Sequence, residues 1–338
     1  MVPPRLTFYS ELESAPLQSL FDDRTVADLV ELQAMLSLGI IDLSDERAGV
    51  VKRLNQAGIP VIAWLLLPKE EGYWFNLDNV PQAINRYLEF KGWTAQYGLK
   101  WAGIGLDIEP DIRDLAQLPQ RKWRILPSLL KNAWKPKRYK AGRSAYLDLI
   151  AQIHADGYPV ESYQFPMVVD ERRAGSTLLQ RMSGIIDLPV DREVWMLYTS
   201  FIRPQGSGIL ASYAPEAQSI AVGVTGGGVD SGLSLPEPLT WEEFARDLRL
   251  SWYWCNDLYV FSLEGCIQQG FLARLKTFEW DYPVLLPEES QAQVEGWRTG
   301  LRTVLWVSAH FTALLLALAG LFLLWKGFSR YFKFSRKR

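Results

Sequence analysis

Two carboxylates, Asp107 and Glu109, close the run Trp101-Ala102-Gly103-Ile104-Gly105-Leu106-Asp107-Ile108-Glu109-Pro110. Small or acidic residues alternate with aliphatic ones, the pattern of a β-strand whose two faces meet different surroundings. Ile104, Leu106 and Ile108 share the face expected against helices. Gly103, Gly105, Asp107 and Glu109 share the other and are expected to point inward. Two residues of strand separate the acids by about 6–7 Å. At that distance crowding and desolvation raise one carboxyl pKa and produce a general acid. An inward polar pair satisfied by its neighbours, with no chemistry, is the alternative.

The chain offers few other reagents. It has 338 residues, 48% of them hydrophobic and 22% charged, with two histidines and two cysteines. Two thiols exclude a disulfide-rich scaffold and a four-thiolate zinc site. Cys255 and Cys266 are expected at opposite ends of one strand, roughly 20 Å apart at about 3.3 Å per residue, too far for a bridge. His154 and His310 alone cannot build a histidine metal cluster. No metal and no cofactor is expected, and the chemistry falls to carboxylates.

The elements that position such a pair recur about every 30 residues, as apolar strand-like runs alternate with helical patterns. Strands are expected at Leu6–Ser10, Gly39–Leu43, Val61–Leu67, Ala102–Glu109, Val160–Phe165, Glu193–Ser200, Ile220–Thr225 and Leu258–Glu264. Helices lie between them, including Asp45–Ala57 before Gly58 and Thr240–Trp254, where Thr240 and Glu243 form a capping box. Eight strands in strict alternation imply a closed (β/α)8 TIM barrel over residues 1–281, with a doubly wound open sheet as the alternative. In a barrel, active sites gather at the C-terminal ends of the strands.

The segment at strand four resembles the signature of glycoside hydrolase family 18, the chitinases and endo-β-N-acetylglucosaminidases, which reads Asp-Gly-x-Asp-x-Asp-x-Glu. The glycine, the apolar positions, the last aspartate and the glutamate match, while Ala102 and Gly105 replace the first two aspartates. The family's Met-x-Tyr on strand six is matched by Met196-Leu197-Tyr198. The resemblance implies a glycan substrate containing N-acetyl sugars. It makes Glu109 the acid that protonates the glycosidic oxygen, Asp107 the residue that orients the acetamido group, and Tyr198 the group that holds its oxygen. The missing aspartates would interrupt the family's proton relay, leaving a barrel that only binds glycan, or scaffolds a membrane complex, as a second expectation.

Glu264, on the same face as Ser262, is a candidate second carboxylate, nucleophile or base of a two-carboxylate glycosidase, or else an ion-pair partner. Glu70, Glu71, Tyr73, Trp74 and Asn76 follow strand three with the composition of a sugar platform, since aromatic faces stack on pyranose rings and amides bond hydroxyls. The run Gly223–Asp230 after strand seven suggests a phosphate cradle and a third reading, a phosphoester-binding barrel. It lacks any cation, and a tight turn is the plainer account.

Beyond the barrel, residues 282–302 read as a linker. Residues 303–325 read as a single transmembrane helix, free of Asp, Glu, Lys and Arg from Val304 to Trp325 and long enough at about 1.5 Å per residue to cross a bilayer. Residues 326–338 form a basic tail. Setting its six cations aside leaves 30 basic residues against 38 acidic. The charge bias places the tail in the cytoplasm and the barrel outside the cell membrane. No signal pattern stands at Met1, so a signal upstream of it is expected. The stretch 121–143 carries nine cations interleaved with Trp123, Trp134 and Tyr139, and no acid. It is a solvated helix face or a contact for anionic lipid. Nucleic acid is not expected, because the rest of the chain is acidic.

Overall fold

The computed structural model describes residues 3–113, 127, 129–228 and 236–335. Eight parallel strands close in sequence order, each paired with its neighbours and β1 with β8. They are β1 (Arg5–Ser10), β2 (Met35–Ile40), β3 (Val61–Leu65), β4 (Gly103–Asp107), β5 (Val160–Gln164), β6 (Arg192–Met196), β7 (Ser219–Gly223) and β8 (Asp257–Phe261). The expected barrel is present, and the open sheet is not.

The alternation at β4 has the consequence its sequence predicts. Ile104, Leu106 and Ile108 join the large core between strands and helices, together with Tyr87, Phe90 and Tyr146. A second core fills the inside of the barrel and is largely aromatic, with Tyr9, Trp64, Tyr73, Tyr163 and Tyr259. Tyr9 packs edge-on against both Trp64 and Tyr163, with centroids 5.4 and 5.0 Å away, a geometry the ring quadrupoles favour. These rings form a floor beneath the strand ends.

Several boundaries move. β2 starts and ends earlier than Gly39–Leu43, because Asp42 and Ser44 belong to the loop that caps the helix Asp45–Gln56. β6 ends at Met196, which leaves Tyr198 in the following turn. β8 ends at Phe261, and Glu264 opens the helix Leu263–Gln268 instead of ending a strand. The Thr240 capping box is formed as expected. Cys255 and Cys266 are buried free thiols.

The largest correction concerns the C-terminal region. The segment expected as a linker is helical from Glu288, and the helix Glu288–Ala309 lies against Met167–Arg173 and Gly206–Tyr213. Its Arg298, 3% exposed, bonds both carboxylate oxygens of the fully buried Asp170, the Ser212 carbonyl at 2.6 Å and Glu216 at 3.0 Å. The Arg298 guanidinium also lies 3.8 Å from the centre of the Tyr213 ring. The apolar stretch 303–325 is therefore not one straight helix. It breaks at His310, and Phe311–Ser335 departs at 72°. Val294, Arg298 and Leu305 are buried and hold the first helix on the barrel. At the break, Ser308 Oγ bonds the Leu305 carbonyl and His310 Nδ1 lies 2.9 Å from the Trp306 carbonyl. Such side chains compete for backbone groups that would otherwise continue a helix. Among the described residues no single helix is long and apolar enough to cross a membrane. The bent pair Glu288–Ala309 and Phe311–Lys326 passes together by length and composition.

Candidate functional site

Four acidic residues come together at the C-terminal ends of the strands. Asp107 is the last residue of β4, and Glu109 follows it where Phe75 bridges to Ile108. Glu11 follows β1, and Glu264 lies in the first turn after β8. Asp107, 2% exposed, accepts a hydrogen bond on Oδ2 from Trp64 Nε1 at 3.1 Å. Its Oδ1 is buried without a hydrogen-bond partner among the described residues. Glu109 is half-buried. Tyr73 donates to Glu11 Oε1 at 2.6 Å, and the Glu11 amide donates to Glu264 Oε1 at 3.1 Å.

Burial and mutual repulsion set the electrostatics. Desolvation raises the Asp107 pKa well above the carboxylate range, and the charges of Glu109 and Glu11 add to it. Burial likewise pushes Glu109 up to about 7, against a smaller opposing effect of its contact with Asp107. Burial raises Glu264, although backbone amides that bond its carboxylate pull the other way. The Tyr198 phenol is raised by burial and then by Asp107, Glu109 and Glu11, which places it among these acids. Among the described residues no ion pair reaches Asp107, Glu109 or Glu264. A carboxyl held protonated near neutral pH is what general acid catalysis needs.

Of the residues singled out from sequence, Asp107, Glu109, Tyr198, Glu264 and Tyr73 meet at this mouth. Tyr73 has a left-handed backbone, φ 65°. For a bulky residue that is a strained conformation, maintained here while its hydroxyl bonds Glu11. Trp74 is half-buried and packs edge-on against Tyr73, with centroids 5.5 Å apart. Asn76 is placed differently. Its side-chain oxygen accepts from the Asp78 amide, its Nδ2 lies 3.3 Å from the Trp74 carbonyl, and it is 1% exposed. It shapes the loop that carries Tyr73 and Trp74.

Sequence reading omits Glu11, Trp64 and Phe261. Glu11 stands one residue beyond the expected end of strand one, on the same face as Tyr9, so the alternation that exposes Asp107 and Glu109 would have included it had the strand been extended. Trp64 and Phe261 sit in strands where an aromatic looks like ordinary core. Tyr198 and Phe261 lie tilted against each other at the rim with centroids 5.9 Å apart.

The strand-four signature has an acid where this chain has Gly105. A Cβ at this position would lie 2.3 Å from the Tyr163 hydroxyl, which is bonded to Ser37 at 2.7 Å. Ala102 precedes β4 and is exposed.

The glycine run after β7 is described to Gly228, and Val229 and Asp230 lie outside the described residues. The Gly228 amide, of the kind that would cradle a phosphate, donates to Glu264 Oε1 at 3.1 Å. A Cβ on Gly227 (φ 78°) would sit 2.2 Å from Glu264 Cγ. The loop thus closes around a carboxylate, which repels an anion. The basic stretch 121–143 also falls partly outside the described residues. Within the described part, Arg138 pairs with Asp78, Tyr139 bonds Gln180, and Trp134 is 82% exposed. A cavity of about 960 Å³ opens at the opposite end of the barrel, between Arg5, Trp252, Tyr253, Asp257 and Trp280. The convergence of acids, rather than cavity size, marks the mouth as the candidate site.

No family model matches the sequence, and no curated protein does. Solved structures with a similar fold include a GH18 chitinase from Pseudoalteromonas aurantia, 11% identical over 81% of this chain and 100% of that one, TM-score 0.47. They also include the PgaB (BpsB) glycoside hydrolase domain from Bordetella bronchiseptica, 10% identical over 81% and 98%, TM-score 0.48. An L-ribulose 3-epimerase is 13% identical over 93% and 98%, TM-score 0.41. Similarity of this degree is a likeness of barrel to barrel, shared across different chemistries.

Proposed function

We propose that the chain is a glycoside hydrolase-like barrel that cleaves an extracytoplasmic glycan by carboxylate acid–base catalysis. The observation that carries this reading is the half-buried Glu109, its pKa pushed up to about 7, directly above the buried Asp107. Protonated Glu109 gives its proton to the glycosidic oxygen as the bond to the anomeric carbon breaks. Water then adds to that carbon and releases a proton to a carboxylate of the mouth. The positive charge that develops on the sugar ring is stabilised by the carboxyl oxygens that line the mouth, those of Glu11, Asp107 and Glu264. Tyr198, Phe261 and Trp74 offer partly exposed aromatic surface for the ring.

The same reading attaches the barrel to a membrane through its C-terminal region. From Phe311 to Trp325 the described side chains are apolar and mostly exposed, Leu316 and Leu323 by 69% and 68%. A continuous apolar surface of that kind is normally covered, and a basic segment follows it. Lipid vesicles carrying anionic headgroups should retain the full chain and release one truncated before Phe311.

Hydrolysis is tested by incubating detergent-solubilised full-length chain with hexosamine oligosaccharides and measuring new reducing ends. Turnover that disappears in Glu109→Gln supports the assignment, and turnover equal to the wild type removes Glu109 from it. The Tyr163 ring against Gly105 favours a second reading, a barrel that binds glycan without cleaving it. Binding without turnover in the wild type would select that reading.

A further inference from the structure

Resting on the proposal that the mouth holds a sugar, we propose that the sugar carries a free protonated amine, a hexosamine without its N-acetyl group. An acetamido group is neutral, and a site made for it needs donors and an apolar wall more than additional negative charge. This mouth has four carboxylates, and in two of them one oxygen is buried without a geometric hydrogen bond. Asp107 Oδ1 and Glu264 Oε2 lack hydrogen-bond partners among the described residues, in side chains of residues only 2% and 8% exposed. A buried acceptor left unsatisfied is costly, and more so when charged. An ammonium, with three donors and one positive charge, supplies what both oxygens lack.

Three arginines near the β1–β4 ends have bonds of their own. Arg47 bonds Asp42 and the carbonyls of Gly39 and Leu12. Arg86 bonds the Ile40 carbonyl, and Arg113 bonds Asp111 and the Glu70 carbonyl. The aromatic surroundings agree with the assignment. Trp64 holds Asp107 from below, and Tyr198 and Phe261 border the acids with ring faces that attract cations. Gly105 excludes an acid at its own position while Glu11 and Glu264 bring acids from other strands. The negative charge is thereby moved from the base of β4 to the rim, where a substrate amine can reach it.

The test is calorimetric titration of the full-length chain in detergent with a glucosamine hexasaccharide and with an N-acetylglucosamine hexasaccharide, at low and at high salt. Reducing ends are measured on the same samples. The glucosamine oligomer should bind at least about tenfold more tightly at low salt, and the advantage should shrink as salt screens the contact. Glu11→Gln and Glu264→Gln, each checked for a wild-type melting profile, should reduce that preference severalfold. Equal or tighter binding of the acetylated oligomer would overturn the proposal, even if it were hydrolysed and the hydrolase reading survived. Tight binding of the glucosamine oligomer with no cleavage of either would uphold the proposal and remove the hydrolase reading. Absence of binding to both would overturn the proposal.

Discussion

Two of the barrel's buried aspartates are treated in opposite ways. Asp170, beneath the docked C-terminal helix, receives two nitrogens of Arg298 and the Tyr213 hydroxyl at 2.5 Å. Asp107, at the mouth, receives one indole N–H and faces other acids. The first arrangement compensates a buried charge, and its residues are accounted for by the contact they maintain. The second leaves the cost in place. Unrelieved destabilisation of this kind is characteristic of sites whose missing partner is a ligand or a reacting group.

The contrast can be broken from either side. The largest effect is expected at Glu109. Glu109→Gln should reduce glycan turnover by about 10²–10⁴-fold, with urea-unfolding stability equal to or above that of the wild type. A stable variant with undiminished turnover would erase the catalytic half of the contrast. Arg298→Met should act the other way, costing about 3–5 kcal/mol of stability by stranding Asp170. Restoration of stability in the double variant Arg298→Met/Asp170→Asn would show that the loss lay in the stranded charge. If the single variant unfolds at the same urea concentration as the wild type, the helix is not held as described.

A smaller effect concerns pH. Glu109 titrates at about 7 and Asp247, desolvated beside Thr199, at about 6, whereas a carboxyl in the unfolded chain titrates near about 4. Over that interval the folded state binds more protons than the unfolded one. Stability is therefore greatest below the unfolded values and declines as pH rises through 6 to 7, in the range those two groups define. For Glu109 the effect should be on the order of 1–3 kcal/mol, and Glu109→Gln should flatten the slope between pH 5 and pH 8, roughly spanning the two titration points. An unchanged slope would mean that Glu109 ionises freely. Turnover in the wild type should fall on the alkaline side of about 7 as Glu109 loses its proton. The smallest effect is steric. Gly105→Ala would press a methyl group onto Tyr163 and should cost about 1–3 kcal/mol, measurable by thermal melting.

The barrel was legible because each of its strands buries both faces and is set off by loop and cap residues. At β4 the alternation also revealed which face carries the acids. Boundaries were less legible where polar residues close a strand. Asp42 reads as part of β2 until its bonds to Ser44 and Arg47 are seen, and Glu264 reads as strand until Ser262 caps the helix that contains it. Glu11 escapes notice when strand one is ended at Ser10, although it shares a face with Tyr9. The apolar run at 303–325 gave the correct composition and the wrong shape. Hydropathy does not record that Arg298 is pinned to Asp170, nor that Ser308 and His310 turn back on their own backbone.

The turn at His310 joins two stiff rods with no slack between them. One is fastened along the flank of the barrel, and the other emerges at 72° from the first. A flexible tether would let the mouth face any direction. Here, any surface that takes up the apolar rod also sets the tilt of the whole domain, and with it the angle at which Asp107 and Glu109 meet whatever lies opposite.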